Sequence, residues 1–422
     1  MNSEKRVPRL RFSEFSDSWE QRKLIEVVEE RHTFTKITEE YPRLSFTIED
    51  GVISPEDRKT NKRDFLMKDE ANKKFLVTEI GDIIYNPANV VFGAIHRNSL
   101  KNGCLSPIYR IFTTQHDSRF LECVVRSPIF ISKLAQRTEG TVVKLKTLKP
   151  EAFLDMDVIL APTIGEQSKI ADFICELDSF ITLHQRKLEQ VKTLKSVMIQ
   201  KMFPRGGALV PEIRFSGFID AWEQRKFAEV FDGLQNNTLS RADLNYESGT
   251  VKNVHYGDVL IKFGDYIDAS ETDLPYISDD TKAEKFKSSF LQDGDIIIAD
   301  TAEDDTVGKC TEIQGSEGLK LLSGLHTIAC RPKQKYGAKF LGYYINSSAY
   351  HNQLKPLMQG IKVTSISKSA LQDTDMIMPK SLEEQTKIGE YFSSLDNLIT
   401  LHQRKLETIK EYKNGLLQQM IV

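Results

Sequence analysis

Two runs of basic and hydroxyl side chains stand at matching places in the chain, and their chemistry suits nucleic-acid binding. Lys and Arg bind phosphates and guanine edges, whereas Ser and Thr add contacts to phosphates and bases. Together with an earlier basic stretch, the candidates are Arg58, Lys59, Lys62 and Arg63; Lys144, Lys146, Thr147 and Lys149; and Lys362, Thr364, Ser365, Ser367 and Lys368. An ordinary wet surface has the same composition, but recurrence just before each of two repeated segments favours DNA contacts.

Two other motifs are weaker signs of chemistry. NPAN (Asn86–Asn89) resembles part of an adenine-methyltransferase box, but it lacks the second proline and the aromatic residue, so we expect a turn. DTAEDD (Asp300–Asp305) is acidic enough to hold Mg²⁺, although a solvated loop is the simpler interpretation. The five cysteines are scattered without a CxxC pair, as in reduced cytosolic proteins. We predict no catalytic residue and no metal site.

Charge and hydropathy narrow the class of protein. The 422 residues include 57 Lys and Arg against 60 Asp and Glu, a net charge of −3. That balance argues against a stand-alone, non-specific nucleic-acid binder, but it is compatible with a sequence reader inside a larger assembly. The sequence has no apolar run long enough to span a membrane and no signal peptide, so a cytoplasmic location is expected.

Most of the chain consists of two half-proteins in tandem. ITLHQRKLE occurs at Ile181–Glu189 and again at Ile399–Glu407, 218 positions later, and WEQRK occurs at Trp19–Lys23 and Trp222–Lys226. Between these repeats lie diverged blocks with short β-branched and aromatic runs such as RLSFTI, GDIIYN, DVLIKF and HTIAC, which we interpret as strands. Helices are predicted at Phe120–Arg137 and Lys339–Met358, within blocks that are otherwise mixed α/β.

Each half ends in a predicted long helix. A capping box, Thr163-x-x-Glu166 or Ser381-x-x-Glu384, opens it, and apolar heptad positions then continue for about five heptads, as in a coiled coil. The pairing positions are Ile174, Leu177, Ile181, His184 and Leu188, and Phe392, Leu395, Ile399, His402 and Leu406. The two histidines could be ligands, but a polar layer that fixes register is the simpler interpretation.

Charge placement predicts how these helices pair. Acidic residues dominate the first half of each helix and basic residues the second half, so antiparallel pairing sets opposite charges against each other. Each helix, of about 37 residues, would be about 55 Å long, more than one DNA turn of about 34 Å.

The only two tryptophans lie in the WEQRK repeats that lead each half. The side chains of these repeats could form a partner-binding surface, or they could pack the lead segment onto a helix. The residues concerned are Trp19, Gln21 and Arg22, and Trp222, Gln224 and Arg225.

The order of these segments resembles the specificity (S) subunit of type I restriction–modification systems. The residues that carry the resemblance are Pro162 with Glu166-Gln167-x-Lys169-Ile170, Pro379 with Glu384-Gln385-x-Lys387-Ile388, the WEQRK pair and the Gly-Asp-Ile-Ile turns. The resemblance implies a mixed α/β fold with two similar target-recognition domains, two long antiparallel coiled-coil helices and a pseudo-two-fold internal repeat. The implied segments are recognition domains at 1–160 and 205–380 and spacer helices at 161–204 and 381–422.

The resemblance also implies a function and partners. Each recognition domain would read one half of a bipartite, asymmetric double-stranded DNA site, and the helices would set the spacing and bind two methyltransferase (M) subunits. Restriction (R) subunits would join the complex. S-adenosylmethionine would belong to the M subunits, and ATP with Mg²⁺ to the R subunits. Two alternatives stay open: a coiled-coil adaptor without a DNA role, and a self-contained DNA-modifying enzyme.

Overall fold

The computed structural model describes residues 7–58, 73–138, 147–360 and 362–421. The chain divides into two compact units: unit 1 comprises residues 1–184 and 405–422, and unit 2 comprises residues 185–404. Each unit therefore contains half of each long helix. The division of the chain into recognition domains and spacer helices remains a prediction about function.

Unit 1 is mixed α/β. Its strands are β1 (Glu20–Lys23), β2 (Val28–Glu30), β3 (Phe34–Thr35), β4 (Ser45–Thr47), β5 (Gly51–Ile53), β6 (Phe75–Thr78), β7 (Ile83–Tyr85), β8 (Ile95–Arg97), β9 (Gly103–Leu105), β10 (Arg110–Thr114) and β11 (Asp157–Leu160). Its helices are α1 (Ser118–Val125), α2 (Pro128–Gln136), α3 (Pro150–Leu154) and the first half of α4 (Ile164–Met202). An antiparallel sheet of order β2-β10-β7-β8 forms its centre, beside a β3-β6-β9 sheet and the β4-β5 and β1-β11 pairs.

Unit 2 repeats this plan with additions. Its strands are β12 (Glu223–Lys226), β13 (Phe231–Gly233), β14 (Leu244–Asn245), β15 (Lys252–Val254), β16 (Tyr266–Asp268), β17 (Tyr276–Ile277), β18 (Ile296–Ala299), β19 (Thr301–Ala302), β20 (Cys310–Gln314), β21 (Leu321–Ser323), β22 (Thr327–Pro332), β23 (Thr364–Ser365) and β24 (Asp375–Met378). Its helices are α5 (Phe227–Val230), α6 (Tyr256–Ile261), α7 (Asp280–Ala283), α8 (Phe340–Asn346), α9 (Ser348–His351), α10 (Lys368–Gln372) and the first half of α11 (Leu382–Met420). The central sheet has the order β13-β22-β18-β20-β16, in which β16 runs parallel to β20.

The long helices pair antiparallel, as their charges predict. In unit 1, Lys413 near the end of α11 forms an ion pair of 2.5 Å with Asp178 on the first half of α4. In unit 2, Lys195 on the second half of α4 lies 2.7 Å from a carboxylate oxygen of Asp396 on the first half of α11. The two lysines occupy equivalent positions on the two helices, and each one is neutralised by an acidic residue at the equivalent place.

The hydrophobic cores seat these helix halves on the sheets. In unit 1, Met420 and Ile421 of the α11 end belong to the same buried cluster as Trp19, Phe120 and Ile170. In unit 2, the end of α4 contributes Met202 and Phe203 to a cluster with Trp222, Phe340 and Phe392. Burial of these large apolar side chains holds each α/β block against both helices.

Two local predictions are wrong. The DVLIKF run is not a strand: it lies mainly in α6, where His255 caps the helix by accepting the Gly257 N–H at 3.1 Å. A short apolar run does not distinguish a buried strand from a buried helix. The single helices predicted over 120–137 and 339–358 are each divided, into α1 and α2 at Pro128 and into α8 and α9 at Ser347. A proline interrupts a helix, and Ser127 caps α2 by accepting the Phe130 N–H at 3.2 Å. At Ser347 the backbone is extended, and its hydroxyl donates to the Tyr344 carbonyl.

Candidate nucleic-acid interface

A buried glutamate at the start of each long helix fastens the lead segment of its unit. The Glu166 carboxylate accepts two hydrogen bonds from Arg11, at 2.6 and 2.8 Å, and one from the indole of Trp19 at 3.1 Å. The predicted capping box is therefore only half correct. Thr163 does cap the Glu166 N–H, at 3.2 Å, but the glutamate side chain turns to Arg11 rather than back to the cap.

Unit 2 has the same arrangement. Glu384 accepts hydrogen bonds from Arg214 at 2.6 and 2.8 Å and from the indole of Trp222 at 3.3 Å. Trp19 is 4% exposed and Trp222 is 2% exposed. The prediction that the two tryptophans present a partner-binding surface is thereby corrected, because their rings are packed inside the units. Gln21 and Gln224 are exposed on β1 and β12, as is Arg22, while Arg225 is half-buried.

The glutamine that follows each glutamate holds the helix against the diverged block of its unit. Gln167 donates to the Ala161 carbonyl at 2.7 Å and accepts the Asp117 N–H just before α1 at 3.1 Å. Gln385 likewise donates to the Pro379 carbonyl and accepts the Gly337 N–H, each at 2.8 Å. The repeated Glu-Gln pair thus holds each diverged block in one orientation on its helix.

The Gly-Asp-Ile-Ile turns anchor the central sheets. Asp82 accepts two hydrogen bonds from Arg31, each of 3.0 Å, and Asp295 accepts two from Arg331, of 2.9 and 2.7 Å. Burial raises the pKa of both carboxyls, although the arginine opposes the shift in each case. Arg31 follows β2 in unit 1, whereas Arg331 lies on β22 in unit 2. The two units therefore form equivalent ion pairs with arginines from strands that are not equivalent.

In unit 1, strand β7 leads from this turn to a surface that contains Thr147–Lys149, the described part of the basic run at 144–149. In unit 1, Asn86–Asn89 form a turn, as predicted, closed by the Asn89 N–H to the Asn86 carbonyl at 3.0 Å. The Leu148 N–H donates to the Pro87 carbonyl at 3.0 Å, which places Thr147–Lys149 against the turn. We call Asn86–Asn89 with Thr147–Lys149 the α3 surface.

A recess adjoins the α3 surface. It has a volume of about 300 Å³, and its walls include Arg43, Arg58, Asn86 and Tyr109. Two guanidinium groups, an amide and a phenol in one recess can contact phosphates, base edges and stacked bases. The sequence does not predict that Arg43, Asn86 and Tyr109 share this recess, because no run or spacing connects them before the chain folds.

Unit 2 repeats the backbone of this surface with other side chains. The Ile366 N–H donates to the Asp300 carbonyl at 2.8 Å, and β23 pairs with β19. The Thr364 hydroxyl lies 3.2 Å from the Ala302 carbonyl oxygen and 3.0 Å from that of Asp304. We call Asp300–Asp305 with Lys362–Lys368 the α10 surface.

The predicted basic run of unit 2 therefore lies beside the acidic segment. Lys362, Ser365, Ser367 and Lys368 are exposed, and Ser367 also caps α10 by accepting the Ala370 N–H at 3.1 Å. Hydrogen bonds from Thr306 hold the pKa of Asp304 below its usual range, so its carboxylate stays charged. The α10 surface is thus of mixed charge, whereas the recess beside the α3 surface is cationic.

Not all of the predicted DNA contacts can be placed. Arg58, Thr147 and Lys149 of the first block converge on the α3 surface and its recess. Lys59, Lys62, Arg63, Lys144 and Lys146 lie outside the described residues. Among the described residues, no group of three or more His, Cys, Asp or Glu side chains is arranged to hold a metal ion, and no helix is long and apolar enough to cross a membrane.

Comparison with known proteins agrees with this architecture. The model of the "Type I restriction modification DNA specificity domain" family matches residues 219–411. The type I restriction enzyme MjaVIII specificity subunit of Methanocaldococcus jannaschii is 22% identical over 90% of this chain and 85% of that protein. The putative MjaX specificity subunit of the same organism is also 22% identical, over 47% of this chain and 45% of that protein.

Solved structures agree in fold. The crystal structure of a type I restriction–modification S subunit from M. genitalium superposes with a TM-score of 0.58 at 13% identity and covers 99% of both chains. A chain from a structural study of type I restriction–modification complex assembly matches with a TM-score of 0.50 at 17% identity, over 95% of this chain and 97% of that one. Residues 219–411 of this chain therefore match the specificity-domain family, and the whole chain has the fold of type I restriction–modification S subunits.

The two units differ in which of their features repeat. The features that recur are the ones that hold a block on a helix: Arg11 and Arg214, the tryptophans, and the Glu-Gln pairs. The side chains of the α3 and α10 surfaces differ. Each unit thus carries a different surface on the same backbone arrangement.

Proposed function

We propose that this chain is a specificity subunit and reads a bipartite, asymmetric DNA site, one half with unit 1 and the other with unit 2. The observation that carries the proposal is the pair of matched surfaces. The Leu148–Pro87 and Ile366–Asp300 hydrogen bonds set the same backbone frame, but the side chains on that frame have diverged. One frame with two chemistries is what two unlike half-sites require, since base edges are read by side chains.

The long helices supply the second part of the proposal, which is that they bind two methyltransferase subunits. Exposed apolar side chains recur on both helices at equivalent positions: Phe180 and Leu398 are 53% and 43% exposed, and Leu183 and Leu401 are each 44% exposed. Two identical partners need two equivalent surfaces, and large exposed apolar side chains favour protein contacts over water.

The helices also set the spacing between half-sites in this proposal. Each has 39 residues and so rises about 58 Å, more than one turn of DNA at about 34 Å. Inserting one heptad at matched points in α4 and α11 keeps the pairing positions in phase and adds about 10 Å. The unspecified spacer of the target should then lengthen by about three base pairs.

The chemistry is assigned to the partners. Methyl transfer from S-adenosylmethionine to adenine belongs to the methyltransferase subunits, and ATP- and Mg²⁺-dependent cleavage belongs to the restriction subunits. What this chain contributes is the choice of site. A self-contained enzyme would instead bind S-adenosylmethionine by itself, which calorimetry on the isolated chain would detect.

Paired variants test the two roles separately. Lys362→Ala with Lys368→Ala should weaken sequence-selective methylation while the methyltransferase subunits still co-purify. Phe180→Glu with Leu398→Glu should abolish co-purification while the chain still folds. Lys187→Ala with Lys405→Ala, at exposed equivalent positions on the same helices, is the matched control and should do neither. The DNA role is contradicted if complexes that contain the Lys362→Ala, Lys368→Ala variant methylate the same site at the same rate as complexes with the wild-type chain.

A further inference from the structure

The central sheets of the two units differ at one edge. Among the described residues of unit 1 the sheet ends at β8, whereas in unit 2 the fifth strand, β16, lies parallel beside β20. Arg97 on β8 and Glu312 on β20 are equivalent, because each is the register partner of the first isoleucine of the Gly-Asp-Ile-Ile turn, Ile83 or Ile296. The place of the fifth strand can therefore be compared residue by residue.

In unit 2, Gly342 leaves the space that the backbone leading into the fifth strand occupies. The Glu312 N–H donates to the Asp265 carbonyl at 3.1 Å, and a Cβ at Gly342 would overlap that carbonyl oxygen. In unit 1 the residue equivalent to Gly342 is Glu122, and its carboxylate accepts the Arg97 N–H, also at 3.1 Å. In unit 1 the Glu122 carboxylate therefore accepts the N–H that, at the equivalent position of unit 2, donates to the Asp265 carbonyl.

The fifth strand of unit 2 brings an acidic and an aromatic side chain to the long helices. The Asp265 carboxylate accepts hydrogen bonds from Lys195 and from the Asn346 amide, each at 2.9 Å. The hydroxyl of Tyr266 lies 3.0 Å from that of Ser393. The residues equivalent to Lys195, Asn346 and Ser393 in unit 1 are Lys413, Arg126 and Cys175.

In unit 1 these three residues line an open cleft of about 970 Å³. Its cationic side chains are Arg9, Arg97, Arg119, Arg126 and Lys413, and its carboxylates are Glu122 and Asp178. Arg97 and Arg126 share the single Glu122 carboxylate, at 3.6 and 3.5 Å. The Nε of Arg97 is buried and makes no hydrogen bond within the part of the chain that the structure describes. Arg119 is neutralised by Asp117 and Asp172, and Lys413 by Asp178. The excess of positive charge and of hydrogen-bond donors in the cleft therefore comes from Arg9 and from the Arg97–Arg126 pair.

We propose that this cleft binds an extended acidic segment of a partner polypeptide, in which an aspartate or glutamate is followed by an aromatic residue. The carboxylate lies between Lys413 and Arg126, and the aromatic ring packs towards Cys175, as Asp265 and Tyr266 do in unit 2. Among the described residues, the equivalent place in unit 2 is occupied by Asp265 and Tyr266, so the cleft distinguishes unit 1 from unit 2. A chain with two equivalent methyltransferase surfaces thereby gains one surface that occurs once per complex. The inference goes beyond DNA reading and does not depend on it.

The test uses the full chain and a probe copied from unit 2. A fluorescently labelled peptide with the sequence of Lys262–Ser270, KFGDYIDAS, is titrated against the purified protein by anisotropy. We expect saturable binding that weakens with salt. Replacing the first aspartate of the peptide by asparagine should weaken binding about tenfold or more, the effect of losing a charged hydrogen-bond partner. That change is in the peptide, so the protein fold stays intact.

A matched pair of protein variants locates the site. Arg126→Glu should weaken binding to at least the same extent, whereas Arg137→Glu should leave it unchanged. The two arginine side chains are 42% and 41% exposed, and each forms an ion pair with one carboxylate residue of unit 1. The proposal is overturned if the acidic peptide does not bind, if binding is indifferent to Arg126, or if a short DNA duplex displaces it and itself requires Arg126. The methylation assays described above do not depend on the outcome of the peptide titration, so the DNA role is tested independently of this proposal.

Discussion

Removing the arginine that clamps each lead segment should be among the most damaging single changes in either unit. Arg11 and Arg214 each make two short hydrogen bonds to a glutamate that is almost completely buried. Arg11→Met or Arg214→Met leaves that carboxylate buried with the tryptophan N–H as its remaining side-chain donor. Breaking one partner of a buried ion pair costs about 3–5 kcal/mol, and we expect the lower end of this range because the indole hydrogen bond survives.

The assay is urea unfolding followed by tryptophan fluorescence. The chain has two tryptophans, one at each clamp, so intrinsic fluorescence follows both sites. The free energies of unfolding lost in the two single variants should add in the double variant, since the two sites share no residue. Replacing Glu166 by leucine in the Arg11→Met background should recover part of the loss, because the cost comes from the unpaired buried charge.

The control is Arg22→Met. Arg22 and Glu20 form an ion pair whose side chains are 43% and 48% exposed, and such pairs contribute about 0–1 kcal/mol. The account of the clamp is refuted if Arg11→Met costs no more than Arg22→Met. It is also refuted if the double variant Arg11→Met, Glu166→Leu has a lower free energy of unfolding than Arg11→Met alone, because Glu166 would then stabilise the fold without its arginine.

Two further predictions concern unit 2 and α11. Burial raises the pKa of Glu312 to about 7, so between about pH 4.5 and 7 the folded chain retains a proton that the unfolded chain has released, and stability falls as pH rises. Urea titrations should show wild type losing about 3 kcal/mol relative to Glu312→Gln between pH 4.5 and 7.5, and a constant difference would contradict this. Gly342→Ala should lower the melting temperature because its Cβ overlaps the Asp265 carbonyl, whereas Gly415→Ala, with open space around its Cβ, should gain about 0.5–1 kcal/mol; equal shifts in thermal melts would count against the packing described.

The long helices were predictable from the sequence because their signal is local and repeated. Apolar heptad positions and opposite charge halves fix an antiparallel pair before any tertiary contact is known. The role of Glu166 was not predictable in this way. A cap three residues upstream is visible in the sequence, but the arginine that takes its carboxylate stands 155 positions away, and only folding brings the two together.

Other parts of the site show the same limit. Arg31 and Arg331 bind equivalent buried aspartates, Asp82 and Asp295, but they do so from strands that are not equivalent, so an alignment of the two halves would not pair them. The recess beside the α3 surface joins Arg43, Asn86 and Tyr109, which no spacing connects. The basic runs were visible because they are contiguous, but the proximity of Thr364 to the acidic Asp300–Asp305 segment depends on the β19–β23 pairing. Functional residues that are neighbours in the chain can be recognised from the sequence, whereas residues that only folding brings together cannot.

The most direct test of the central claim is a map of adenine methylation in cells that carry the cognate methyltransferase subunit, with and without this chain. If the chain chooses the site, methylation of one split motif, two short defined halves around a fixed gap, should appear only when both proteins are present. Exchanging residues 205–380 for the same block of another specificity subunit should then change one half of the motif and leave the other. The account is contradicted if the methyltransferase subunit alone marks the same motif, or if the pair methylates no split motif at all.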